Sequence, residues 1–581
     1  MPSSRGRARG YPSGVIQRRL AELVREALRA SAGELGLAGE LPEVEISTPK
    51  LREHGDFSTN VALALARQVG RPPREVAEAL AARLPADPLL ARVEVAGPGF
   101  LNLFLTDAWL HEALREAARL GPGYGRAERT GRRVQVEFVS ANPTGPLHIG
   151  HARNAVIGDA IANVLDAAGF DVEREYYFND AGRQMELFGA SVEARYLQRF
   201  GIQAEVPPEG YHGAYIADVA EAIAARHGEA LVRLSPQERS VRILQEGSAL
   251  VLEQIKATLE RFGVRFDRYL HERELHDSGE VARTVERLRA AGYAYEADGA
   301  VWFRATAFGD DKDRVLIRAN GAPTYFAADC AYLVHKFSRG FDRLIYVWGA
   351  DHHGDVVRVK GAARALGYGP EAVEIVLYQF VTLYRAGELV RMSKRAGDIV
   401  TLDELLDEVG VDATRFTLLG RSNDSPIDFD IELVKRRSME NPVYYVQYGH
   451  ARIASILRHA AERGVPLRPI DEVDLALLGT EAERDLLRAI AELPAQVLEA
   501  AELRAPHRLT YFAQDLAARF HRFYTECRVV TDDEPLTQAR LWLSMGAKQA
   551  IANVLGLLGV SAPESMERLE DVEETDPPGR T

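Results

Sequence analysis

The first regular pattern along the chain is apolar residues at three- and four-residue spacing from Val15 (VIQRRLAELVREALRA), which predicts a helix. Two more helices are expected at about 59–69 and 73–84, then strand-like VEVAG and FLNLFL, then a helix over 108–120 stopped by Gly121-Pro122-Gly123. Residues 13–121 therefore read as a small α/β N-terminal domain, preceded by a disordered extension over 1–12. From Arg132 the rhythm changes. VQVEFVS is a short buried-strand run; a loop follows, then an amphipathic helix from about Ile149 to Ala168 and a second strand at 172–178. Strand, loop, helix and strand make the unit of a parallel sheet with crossover helices. A mostly helical stretch, about 185–288, interrupts this pattern. It resumes with VLIR at 315–318, a helix at 325–339, strand LIYVW, a helix at 353–366 and strand VEIVLYQF. The expected fold class is thus α/β, with a doubly wound parallel sheet over 130–438 split by a helical insertion. An all-α bundle is expected over 439–563, and the acid-rich tail 564–581 reads as disordered.

Bulk properties narrow the function only a little. A chain of 581 residues with 46% hydrophobic content can bury several cores. The net charge of −14 argues against a general nucleic-acid coating protein, but leaves room for an RNA held by local basic patches. Cys330 and Cys527 stand far apart, which excludes a disulfide framework and a thiolate zinc site and favours a reducing, cytoplasmic setting. No apolar run reaches the length of a membrane span. Arg5, Arg7, Arg9, Arg18 and Arg19 near the N-terminus could mark a transit segment, although a solvated extension is the plainer reading.

Chemistry concentrates in VSANPTGPLHIGHARN (139–154). His148 and His151 fall just after a strand and at the start of a helix, where free N–H groups and the positive dipole end favour phosphate. Gly150 between them lets a nucleotide approach the backbone. In VRMSKRAG (390–397), Lys394 is one of 8 lysines against 63 arginines, so its appearance there is a choice. A flexible ammonium suits a group that must follow moving phosphates. WGADHHGD (348–355) follows another strand. Gly349 and Asp351 could hold a ribose, while Asp351, His352, His353 and Asp355 could equally suggest a metal-dependent phosphoesterase. Tyr325 and Asp329 lie four apart on one helix face, and Glu272 falls where the insertion leads back to the sheet. Two carboxylates beside an aromatic ring would suit a guanidinium.

The strings PLHIGH and VRMSKRAG resemble the HIGH and KMSKS signatures of class I aminoacyl-tRNA synthetases. EFVSANPTGPLHIGHARNA, YYFNDAGRQM, TYFAADCAY and VWGADHHGD together resemble bacterial arginyl-tRNA synthetases over nearly the whole chain. The resemblance implies a Rossmann-like catalytic domain that uses ATP with Mg²⁺ and no protein-bound zinc. It implies that His148, Gly150, His151, Gly349, Asp351, Met392 and Lys394 bind ATP, with His148, His151 and Lys394 catalytic. Arginine would be held by Ser140, Asn142, His151, Gln184, Glu272, Tyr325 and Asp329, near a further motif containing Asn179 and Asp180. Some family members carry a lysine shortly before the first signature histidine; Gly145 stands there in this chain, which leaves Lys394 to meet the leaving-group charge.

The partners implied are tRNA(Arg), L-arginine and ATP, with the chain acting as a monomer. The N-terminal domain resembles the family's domain that reaches the outer corner of tRNA, and the bundle resembles its anticodon-binding domain. On the bundle helix 507–528, Leu509, Phe512, Leu516, Phe520 and Phe523 form a core stripe, and Arg508, Tyr511, Arg519 and Arg522 an adjacent RNA-binding face. Two other classes stay in view: a non-catalytic RNA-binding relative, and the phosphoesterase.

Overall fold

A computed structural model of the chain describes residues 15–37, 41–49, 51–180, 182–390 and 400–566. Met392 and Lys394, the extension 1–12 and most of the acidic tail lie outside the described residues.

Five parallel strands form the central sheet, in the order Val373–Tyr378, Arg343–Gly349, Arg133–Glu137, Asp171–Phe178, Arg268–His271. Counted along the chain, the order reverses between Arg133–Glu137 and Arg343–Gly349. A doubly wound sheet opens its ligand crevice at that switch point, beyond the carboxyl ends of the strands. The loops carrying His148 and Asp351 follow these two strands, so the topology brings them to one crevice.

Two expectations need correction. The strand Arg268–His271 lies inside the stretch expected to be helical, and it pairs with Asp171–Phe178 as the edge of the main sheet. Only four residues long, it is too short to show a period of its own. The inserted helices are Arg183–Arg199, Ala214–His227 and Pro236–Arg261. VLIR does not rejoin the main sheet: Arg314–Ile317 belongs to a separate antiparallel sheet with Ala294–Ala297 and Ala300–Phe303. A third small sheet, with Val381–Arg385 between Glu388–Leu389 and Ile427–Asp430, was not anticipated.

Helix Ile149–Ala167 also departs from expectation. Fifteen of its nineteen residues are buried, so it is a core helix and not an amphipathic one. The sheet covers one side, and the bundle helices Glu481–Leu503 and Glu534–Leu557 cover much of the other. Most polar groups on its buried side chains are hydrogen-bonded, as burial requires, although Nε of Arg153 is left without a partner. Arg153 donates to the carbonyls of Gln379 (2.6 Å), Ser422 (3.0 Å) and Ser425 (2.8 Å). Burial draws its guanidinium pKa down to about 10.

The C-terminal part is helical: Pro442–Glu462, Glu481–Leu503, His507–Glu526 and Glu534–Leu557. Leu509, Phe512, Leu516, Phe520 and Phe523 are all buried, as the stripe predicts. At roughly 1.5–3 kcal/mol per fully buried large apolar side chain, this stripe alone accounts for much of the helix's hold on the bundle. Arg415, on helix Val411–Leu419, ties three parts together. Its fully buried guanidinium donates to the carbonyls of Leu558 (3.0 Å) and Phe262 (2.9 Å) and pairs with Asp159. Among the described residues no helix is long and apolar enough to cross a membrane.

Candidate active site

The loop after strand Arg133–Glu137 turns sharply to place His148. Val139 (φ +65°) and Ser140 (φ +42°) both adopt left-handed backbone, which costs non-glycine residues about 1–3 kcal/mol each. The surroundings hold them there. Asn154 accepts the N–H of Val139 at 2.6 Å, and its amide donates to Val347 O at 3.0 Å. The hydroxyl of Ser140 donates to Glu137 at 3.1 Å and accepts the N–H of Tyr177 at 3.2 Å.

His148 is the N-cap of helix Ile149–Ala167. Its Nδ1 accepts the N–H of Gly150 at 3.2 Å, while Nδ1 of His151 accepts the N–H of His148 at 3.2 Å. The rings lie 3.9 Å apart between centroids. With both Nδ1 atoms accepting, the proton of each neutral ring sits on Nε2. Each ring can then donate through Nε2 at a helix N-terminus that already favours anions. His148 also forms an isolated antiparallel bridge with Thr401, and Leu402 donates to Leu147 O at 2.8 Å. Thr401 caps helix Leu402–Val409. The chain just after 391–399 is therefore anchored directly beside the histidines.

The proposed pocket residues converge from four elements. Glu272, 4% exposed, accepts the hydroxyl of Tyr177 at 2.9 Å, with His276 Nε2 at 3.4 Å. Asp329 opens onto the crevice, yet most of its surroundings are protein. Burial, and next the neighbouring charge of Glu272, push its carboxyl pKa up to about 7. Arg358, the cation acting on it, is engaged with Asp355 (2.6 Å) and Asp310 (3.5 Å). Tyr325 is half exposed at the first position of its helix. Its hydroxyl sits over Gly182, where a Cβ would lie 1.7 Å away, and Gly182 has φ +88°. Glycine is required there twice over. Asn142 donates to Gln184 at 2.8 Å. Asp180 faces His271 and Arg273, both at 3.3 Å.

Gly349 ends its strand, and Asp351 follows, exposed at the crevice mouth. His352 faces Asp351 (3.7 Å) and Asp355 (3.3 Å). Among the described residues no group of three or more His, Cys, Asp or Glu side chains is placed to hold a metal ion.

Several residues escaped sequence reasoning. Lys336, fully buried two turns beyond Asp329, donates to Glu137 at 2.5 Å and lies 3.9 Å from the ring centroids of both Tyr332 and Tyr346. Burial lowers its pKa, and Glu137 opposes that shift. Its rarity among the basic residues was the available signal. On the bundle, Arg508, Arg519 and Arg522 are each ion-paired within the chain: to Glu499 (2.8 Å), Asp515 (2.8 Å) and Asp485 (2.9 Å). Tyr511 donates to Gly420 O at 3.0 Å. A second cluster lies across helices Pro442–Glu462 and His507–Glu526. Tyr445 and Tyr448 flank His521 at 4.9 and 6.0 Å, and Arg452 lies over Tyr448 (5.7 Å) and Tyr524 (5.0 Å). The spacing of Tyr445, Tyr448 and Arg452 in YYVQYGHAR places them on one helix face and could have shown it.

Comparisons with known proteins point to one family. Residues 114–427 match the model for "tRNA synthetases class I (R), catalytic domain". Residues 18–105 match "Arginyl tRNA synthetase N terminal domain", and 446–566 "DALR anticodon binding domain". The arginine–tRNA ligase of Heliobacterium modesticaldum is 49% identical over 558 residues, covering 95% of this chain and 99% of that protein. That of Moorella thermoacetica is 50% identical over 554 residues, with 95% and 99% covered. The structure of the Thermus thermophilus arginyl-tRNA synthetase superposes with a TM-score of 0.74 at 26% identity, covering 95% of this chain and all of that one (100%). With a catalytic model that spans over half its length and relatives that align almost end to end, the chain belongs to the arginyl-tRNA synthetase family of class I aminoacyl-tRNA synthetases.

Proposed function

We infer that the chain activates L-arginine with ATP and transfers it to the 3′-terminal adenosine of tRNA(Arg). The observation that carries this reading is the pair of carboxylates Glu272 and Asp329, close enough for the charge of one to act on the other, with Tyr325 one turn before Asp329 on the same helix. A guanidinium offers a planar charge for two carboxylates and a face for the phenol ring. The arginine carboxylate attacks the α-phosphorus of ATP in line; the bond to the bridging oxygen breaks, and pyrophosphate leaves with its electron pair. Arginyl-adenylate remains. The 2′-hydroxyl of the terminal adenosine then attacks the acyl carbon, loses its proton and releases AMP.

No side chain becomes acylated, so the rate comes from positioning and charge stabilisation. Nε2–H of His148 and of His151 donate to phosphate oxygens, while Lys394 meets the pyrophosphate charge. Met392, two residues before Lys394 in the sequence, joins it in holding ATP. Gly349 and Asp351 receive the ribose; Ser140, Asn142 and Gln184 serve the α-amino end of arginine. ATP enters with Mg²⁺ as its companion. Domain limits of 13–121, 130–438 and 439–563 fit this division of labour, with the main sheet reaching back to Arg268. The Tyr445–Tyr448–Arg452–Tyr524 cluster suits stacking on unpaired anticodon bases better than the ion-paired face at Arg508, Arg519 and Arg522. The enzyme works as a monomer in the reducing cytoplasm.

The test is arginine-dependent charging of tRNA, with lysine and glutamine as controls. Charging by arginine alone is expected; equal charging by lysine would overturn the pocket.

A further inference from the structure

Two tyrosine hydroxyls hold the loop that delivers His148. Tyr176, from the sheet, donates to Ala141 O at 2.8 Å. Tyr215, from the inserted helix Ala214–His227, donates to Thr144 O at 3.0 Å. Thr144 N–H in turn donates to Asn142 O at 2.7 Å, closing a tight turn. Gly145 follows, buried beneath the Tyr215 ring: a Cβ there would lie 3.0 Å from both Cζ and the hydroxyl oxygen. Gly145 is not among the glycines with positive φ, so the backbone does not demand glycine. The tyrosine does.

The insertion end of this contact is fixed as well. Tyr211 N–H donates to the Ser191 hydroxyl at 2.9 Å, anchoring the segment before Tyr215 to helix Arg183–Arg199. That same helix carries Gln184, which meets Asn142. The inserted helices therefore hydrogen-bond to the loop at two points, Asn142 and Thr144, two residues apart. Burial raises the Tyr215 pKa, which keeps its hydroxyl protonated and donating.

We propose that Tyr215 is a positioning residue for adenylate formation: it presses the 141–147 loop into register, so that the helical insertion forms one wall of the active site. This rests on the arginine-activating reading above. The effect should fall on kcat, because a displaced His148 weakens contacts to the reacting phosphate more than it weakens ground-state binding.

Arginine-dependent pyrophosphate exchange in the presence of tRNA tests it on the full chain. Tyr215→Phe removes only the hydrogen bond and should lower kcat about fivefold, with KM for arginine unchanged. Tyr215→Ala should lower kcat by about fiftyfold, the scale of a small misplacement of reacting groups. Gly145→Ala should mimic it, and the double variant Gly145→Ala/Tyr215→Ala should be no worse than Tyr215→Ala alone, since the clash is then gone. A wild-type kcat in Tyr215→Phe together with additive losses in the double variant overturns the proposal. If Tyr215→Ala fails to fold, Tyr215→Phe and Gly145→Ala decide the matter. Failure of the wild-type chain to charge tRNA with arginine would instead strike the functional reading itself.

Discussion

The crevice around Asp329 and the outer face of helix His507–Glu526 are both rich in charge, and they differ in how it is balanced. On the bundle, Arg508, Arg519 and Arg522 each have a carboxylate of the chain within 2.9 Å. In the crevice, Glu272 is shared between a phenol and an imidazole, and Asp329 has no hydrogen-bonded or ion-paired cation among the described residues. A balanced face gains little from a ligand, since binding must first break what is already made. An unbalanced one keeps its electrostatic attraction for an arriving cation. Residue types alone could not distinguish the two, because the bundle face is the more charged in sequence.

That contrast can be broken in order of expected effect. Asp329→Ala should weaken arginine binding by about a thousandfold, on the scale of about 3–5 kcal/mol for a buried charge that loses its partner. Calorimetric titration checks this, and unchanged affinity would mean the crevice does not take the guanidinium. Lys394→Ala should slow adenylate formation by about a hundredfold while arginine affinity stays the same, the size expected for one transition-state donor; single-turnover kinetics would reveal a weaker role.

The third effect is on pH dependence. With a carboxyl pKa near 7, Asp329 holds a proton in the folded chain that the unfolded chain has shed above the ordinary carboxylate range. Its contribution to folding is fullest at low pH and declines as pH rises through 7. Arginine needs the anion, so KM for arginine should climb below pH 7, by up to about tenfold per unit, and Asp329→Asn should flatten the profile. A flat wild-type profile would place the perturbed group elsewhere.

The smallest effects are on the bundle. Tyr448→Ala should raise KM for tRNA by about tenfold, in line with one lost stacking contact. Arg522→Ala should raise it less than threefold, and the reverse ranking would restore the ion-paired face as the RNA contact.

Local motifs were legible because their geometry is local. His148, Gly150 and His151 form their capping network within four residues, so the string itself encodes the shape. The core stripe of helix His507–Glu526 was legible for the same reason: one face of a helix repeats in sequence. Strand Arg268–His271 was hidden by its length, and the buried character of helix Ile149–Ala167 by the fact that bundle helices more than three hundred residues away cover it. The pocket falls between these extremes. Tyr325 and Asp329 share a helix face that spacing reveals, whereas Tyr177, Glu137 and Lys336 meet only through the sheet. Tyr215 could not have been paired with Gly145 from sequence, since nothing in their spacing of seventy residues fixes a contact.

Arg415 gives the fold a property that its division into domains conceals. One guanidinium draws its hydrogen bonds from the signature helix, the end of the insertion and the close of the bundle. Gly559, at φ +67°, leaves it room, since a Cβ there would lie 2.1 Å from Nη2. Loosening any one of the three parts strands a buried charge in the other two. The molecule should therefore melt as one cooperative unit in calorimetry. A chain cut before Leu558 would forfeit the catalytic half along with the bundle.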